Sequence, residues 1–163
     1  MILALSRTGH GARNAVAYES DDGIALVWEL LDGEAPDAIL SAPVEVAPGW
    51  LMRHDRVDFP PGGVAFRHTH PGPGIRYLLH GSIRIDGPDG PAKTFGPGEA
   101  WFEGADYPVL ATASETESTA FVRVLLLPGE WAGKRTIRYV DPADEERPKL
   151  QRATILLEQP IEL

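Results

Sequence analysis

The stretch Gly62-Gly63-Val64-Ala65-Phe66-Arg67-His68-Thr69-His70 decides how this chain is read. It begins at the turn signal Pro60-Pro61-Gly62-Gly63, runs through apolar and aromatic residues, and stops at Pro71-Gly72-Pro73-Gly74. A strand bounded in this way puts residues i and i+2 on one face, ~6.6 Å apart along the backbone. His68 and His70 then project to the same side, and both imidazoles can reach one ion at ~2.0–2.1 Å. Two surface or hydrogen-bonded histidines would show the same spacing, so the spacing alone leaves both readings open.

Outward from this segment, other short strands follow. Ile24–Leu31 and Trp50–Phe59 precede it, the second opened by Pro48-Gly49. Ile75–His80 and Ser82–Asp86 flank Gly81, and Pro88-Asp89-Gly90 marks a turn before Ala92–Phe95. Glu99–Glu103, Tyr107–Thr112, Thr119–Leu127 and Thr136–Val140 continue the series, and Ala153–Leu163 reads as a last strand interrupted by Pro160. Strands with turn signals every 8–12 residues point to an all-β sandwich or barrel. Helical periodicity is scarce; the one short helix expected is Pro36–Leu40.

Composition agrees. The chain has 163 residues, the length of one domain, with 43% hydrophobic residues, 17 glycines and 15 prolines spread along it. A formal charge of −9 and the lack of any basic run argue against a nucleic-acid partner. With no cysteine, thiolate chemistry is excluded and any metal is left to His, Asp, Glu or water. The start, MILALSRTGH, lacks the basic and apolar regions of a signal peptide, and no apolar run approaches a ~20-residue membrane span. A soluble cytoplasmic protein without a membrane partner is expected.

Gly62-x5-His68-x-His70-x3-Gly74-x6-Gly81 resembles the first cupin motif, glycine-x5-His-x-His-x3/4-Glu-x6-Gly. Phe95-Gly96-Pro97-Gly98-Glu99-Ala100-Trp101-Phe102-Glu103 resembles the start of the second motif, which begins at Gly98. Together the motifs cover residues 60–113. The resemblance implies one cupin domain over residues 1–163, an antiparallel β-barrel of the double-stranded β-helix or jelly-roll type with little helix. It also implies a divalent metal (Fe, Mn, Ni or Zn) and a homodimer that buries the terminal strand 153–163, with its apolar Ile155-Leu156-Leu157. The sequence departs from the family pattern at Gly74, in the slot of the usual glutamate ligand. It departs again at Gly104 and Asp106, where the family has proline and glycine, and at Val109, where it has the last histidine.

Two of four usual ligands therefore remain, His68 and His70, and Glu103 is the candidate for a third. His80 is ~20 Å beyond the Gly74 slot along a straight strand, His54 has no assigned facing, and His10 lies near a terminus. Alternation puts Arg76 on the face of Gly74, where a guanidinium can bind a carboxylate or enolate oxygen, or else pair with Asp55 or Asp58. Glycine in place of glutamate is expected to empty space for a ligand, and Tyr77 is a further candidate for substrate binding. Two functions follow: a metal-dependent enzyme acting on a small oxygen-rich molecule, a carboxylate or an enolisable compound, as dioxygenase, isomerase or lyase; or a non-catalytic small-molecule-binding cupin without a tight metal.

Overall fold

A computed structural model describes residues 1–163. Fourteen strands make three antiparallel sheets. The first holds β1 (Ile2–Ser6), β2 (Ala15–Glu19), β3 (Ala25–Leu31) and β4 (Leu40–Pro43), in the order β2-β3-β1-β4. The central sheet contains β5 (Trp50–Phe59), β7 (Gly74–His80), β10 (Ala100–Glu103), β12 (Thr119–Pro128) and β14 (Arg152–Pro160), in the order β10-β7-β12-β5-β14. Facing it is the order β13-β6-β11-β8-β9, built from β6 (Val64–Thr69), β8 (Ile83–Asp86), β9 (Lys93–Phe95), β11 (Val109–Ala113) and β13 (Arg138–Tyr139). The only helices are two short 3-10 turns, Gly129–Trp131 and Pro142–Glu146. No helix is long and apolar enough to cross a membrane.

The central sheet is covered on both faces, which explains why β12 is almost uninterruptedly apolar. Val122, Val124 and Leu126 pack outward with Ile75 and Met52 against Leu3, Leu5 and Trp28 of the first sheet. Trp28 Nε1 fixes the two layers together by donating to the Ile75 carbonyl at 3.0 Å. On the opposite face Val57, Leu78 and Phe121 meet Ala65, Trp101 and Ala111, closing the floor of the barrel.

The all-β reading stands, with three local differences. Pro36–Leu40 is not helical: Ile39 N–H bonds to the Leu5 carbonyl at 2.8 Å, drawing the segment onto β1, and β4 starts at Leu40. The stretches Ile2–Ser6 and Ala15–Glu19 are strands that the sequence reading missed, being only five residues each. Thr136–Val140 forms only the two-residue β13, paired with β6 alone through Arg138 and Tyr139, with one further bond from Val140 N–H to the Arg67 carbonyl at 3.0 Å.

Candidate functional site

Strand alternation stacks the barrel interior in layers. On β5, Arg53, Asp55, Val57 and Phe59 face inward from mouth to floor, and on β12 Leu125, Arg123 and Phe121 do the same. β7 contributes Gly74, Arg76 and Leu78, and β10 contributes Glu103 and Trp101. In β6 a register shift against β11 lets both Ala65 and His68 face the cavity although they are three residues apart. The result is a cavity of about 560 Å3, apolar at the floor, polar at mid-depth and basic at the mouth. That size suits a small organic ligand.

The polar belt brings together His68, His70, Glu103 and Arg76, as the sequence suggested, and adds Arg123 and Asp55. His68 and His70 have ring centroids 5.1 Å apart. His68 Nδ1 lies 2.8 Å from the Phe66 carbonyl, which only accepts, so the proton sits on Nδ1 and the Nε2 lone pair is left for the cavity. Arg123 Nη1 donates toward His70 Nε2 at 3.4 Å, and His70 Nδ1 bonds Thr136 Oγ1 at 3.0 Å. Burial lowers the pKa of His68 below the ordinary imidazole value, with Glu103 opposing. His70 lies well below it, through burial first and then the Arg123 charge. Both rings are therefore neutral bases at neutral pH.

Each belt carboxylate has a guanidinium. Arg123 grips Asp55 with Nε at 2.6 Å and Nη2 at 3.1 Å. Arg76 Nη2 lies 3.3 Å from Glu103 Oε1, and Trp101 Nε1 donates to Glu103 Oε2 at 2.8 Å. Burial draws the Arg76 pKa down to about 10, Glu103 opposing, so it stays charged at neutral pH. The anion nearest Arg76 is thus Glu103, and Asp55 belongs to Arg123.

The space beside Gly74 is not empty. A Cβ there would meet the Val124 carbonyl at 2.5 Å and Arg76 Nη1 at 3.3 Å, and that same Nη1 donates to the Gly74 carbonyl at 3.0 Å. The close approach of β12 and the folded-back guanidinium fill the volume expected to admit a ligand. Tyr77 also departs from expectation: with odd parity on β7 it packs in the outer core beside the first sheet and does not line the cavity. His80 is exposed at the end of β7. His54 turns to the outer core, between Tyr18 and Trp28. His10 is engaged with Glu29 and Asp37 at 2.8 Å each, which raise its pKa, Glu29 most. Arg123 and Asp55 were missed as a pair, yet each carried a signal: a charge set inside an apolar strand is rare unless paired.

A divalent ion does not fit this donor set as arranged. No three His, Asp or Glu side chains converge on one point. Both oxygens of Glu103 are taken by Arg76 and Trp101, and the Arg123 cation approaches the lone pair that His70 would present to a metal.

No protein-family model matches the chain, and no curated protein does. Among solved structures it is similar to a polyketide cyclase from Streptomyces resistomycificus, at 24% identity over 62% of this chain and 83% of that one, TM-score 0.43. It is similar to a cupin-like protein from Thermotoga maritima, at 19% identity over 58% and 68%, TM-score 0.44. An RmlC-like cupin from Shewanella frigidimarina follows at 14% identity over 52% and 81%, TM-score 0.42. The antiparallel sheets that face each other across the cavity, with the strand that carries His68 and leads to His70 turned into it, give this chain an all-β, antiparallel barrel of the kind the two motifs imply.

Proposed function

We propose that the cavity takes a small, oxygen-rich, enolisable organic molecule and moves a proton on it. The observation that carries this reading is the His68 Nε2 lone pair, left free by the bond from Nδ1 to the Phe66 carbonyl, in a belt that also holds two guanidiniums. His68 Nε2 takes a proton from the carbon next to a carbonyl. The C–H electron pair becomes a carbon–carbon double bond, the carbonyl π pair moves to the oxygen, and the enolate oxygen accepts hydrogen bonds from Arg76 or Arg123 N–H groups. The imidazolium so formed is stabilised by the Glu103 charge. The proton returns to the same carbon or to another, which gives exchange or isomerisation.

Solvent deuterium exchange followed by NMR tests this on a panel of aryl ketones and aryl keto acids. Wild-type protein is expected to accelerate exchange at the carbon next to the ketone. His68→Gln is expected to lower that rate by ~10²-fold or more, the usual contribution of a positioned base. Exchange no faster than in buffer across the panel, or indifferent to His68→Gln, refutes the reading. Binding without exchange would instead support the non-catalytic small-molecule-binding alternative.

A second reading has its own support, since the two Nδ1 atoms are tied and the two Nε2 atoms are turned inward. In it His68, His70 and Glu103 would hold a divalent Fe, Mn, Ni or Zn ion in place of the contacts that Arg76 and Arg123 make with them here. About one equivalent of metal in tag-free protein, lost in His68→Ala, would favour that reading over the metal-free one.

The proposal includes a homodimer formed by pairing β14 with its copy. β14 is an edge strand bonded only to β5, and Ile155, Leu156 and Leu157 are 43%, 48% and 43% exposed. An exposed apolar edge is a liability that pairing removes. Light scattering is expected to give twice the chain mass for the wild type and the single mass for Leu156→Lys. A monomeric wild type would dismiss the dimer.

A further inference from the structure

The cavity mouth is a built structure. The segment from the first 3-10 turn to β14 crosses it and is tied down from below: Arg53 donates to the Trp131 carbonyl at 2.6 Å and the Lys134 carbonyl at 2.7 Å. Thr136 is held by His70, and Gln151 reaches the Tyr139 hydroxyl at 3.3 Å. The cavity wall carries six cationic side chains, Arg53, Arg76, Arg123, Lys134, Arg135 and Lys149, against two carboxylates, Asp55 and Glu103. The whole chain has a formal charge of −9, so this concentration of positive charge runs against the protein's average.

The charges separate by depth. In the belt, Arg76 and Arg123 are matched by Glu103 and Asp55. At the mouth, Arg53 is matched by Glu158 and Arg135 by Glu145. Lys134 and Lys149 have no carboxylate within 4.0 Å. Lys149 is half-buried, its Nζ 5.1 Å from the Tyr139 ring centre and bonded to the Glu145 carbonyl. The unmatched positive charge of the cavity thus lies at its mouth, while the floor of Val57, Phe59, Trp101 and Phe121 is apolar.

We infer that Lys134 and Lys149 hold an anionic group of the ligand remote from its reacting carbon. The inference rests on the proposed function and narrows it to an amphipathic substrate: an apolar or aromatic end on the floor, a carbonyl at the belt, and a carboxylate or phosphate at the mouth. Binding energy from such a remote group orients the carbonyl against His68.

Calorimetric titration of 4-benzoylbutyrate and its neutral counterpart valerophenone tests this. Wild-type protein is expected to bind the acid at least ~10-fold more tightly, with an advantage that shrinks as salt is raised, as screening of an exposed pair requires. The double variant Lys134→Ala, Lys149→Ala is expected to bring the two affinities within about twofold, without change in valerophenone affinity or melting temperature. The corresponding ω-phosphonate identifies the mouth group, binding more tightly than the acid if phosphate is preferred and less tightly if carboxylate is. An acid advantage below about twofold in the wild type, or one that survives in the double variant, overturns the inference. If deuterium exchange on ketones persists in that case, the His68 reading stands. If exchange fails while the acid preference depends on the two lysines, the anchor stands and the proton-transfer reading falls. Binding of neither probe overturns the anchor, and the exchange panel then decides the proton-transfer reading by itself.

Discussion

Asp55→Asn is expected to lower the free energy of unfolding by ~3–5 kcal/mol, the usual cost of leaving one member of a buried ion pair without its partner. The Arg123 side chain is 7% exposed and that of Asp55 is 3% exposed. Two hydrogen bonds join them across neighbouring strands β5 and β12. Asparagine keeps the shape but removes the charge that the guanidinium needs, and Arg123 cannot escape by losing its proton. The other belt carboxylate, Glu103, is already engaged by Arg76 and Trp101. The double replacement Asp55→Leu, Arg123→Met is expected to recover most of the loss, because well-packed apolar pairs commonly match or exceed buried ion pairs. Urea unfolding of the three variants measures both effects. A cost below ~1 kcal/mol in the single variant would mean that Arg123 has a second anion within reach.

Gly72→Ala is expected to cost ~3 kcal/mol or more, at or above the upper range for overpacking. A Cβ at Gly72 would lie 1.7 Å from the Leu126 carbonyl oxygen and 2.8 Å from its carbon. Both are backbone atoms of a central strand, and Leu126 N–H bonds to the Pro73 carbonyl at 2.9 Å, so neither chain has room to give. Gly33→Ala makes the same chemical change where nothing lies within 4 Å, and is expected to stay within ~0.5 kcal/mol of the wild type. Thermal unfolding of the two variants side by side checks the contrast. Equal melting temperatures would show that the segment leading into β7 can move away from β12 at no cost.

The positions of the two histidines in the site were legible because their spacing is a property of one strand. Arg76 was legible for the same reason, by parity from Gly74, and Glu103 because it ends the strand that begins the second motif. Pairing between strands was not. Asp55 and Arg123 sit on strands read correctly as strands, but only the β5–β12 register brings them together. The β6 bulge, which places Ala65 and His68 on the same side, breaks the alternation that a single strand would obey. Gly74 was misread because an absent side chain looks like free volume in a sequence, whereas here the strand and guanidinium beside it close in. Lys134 and Lys149 lie in irregular segments, where no periodicity connects a residue to a face.

The order of the central sheet has a consequence for synthesis. β5 is flanked by β12 and β14, which follow it by about sixty and about a hundred residues. At ~5–20 residues per second, a ribosome leaves both edges of β5 open for several seconds and the second edge for ~5–20 s. During that interval Arg53 has no Glu158, the barrel wall lacks a side, and an apolar-flanked strand offers its backbone to any passing chain. The Arg53, Asp55 and Arg56 charges along β5 give that waiting edge a means of refusing a wrong partner before the right one has been made.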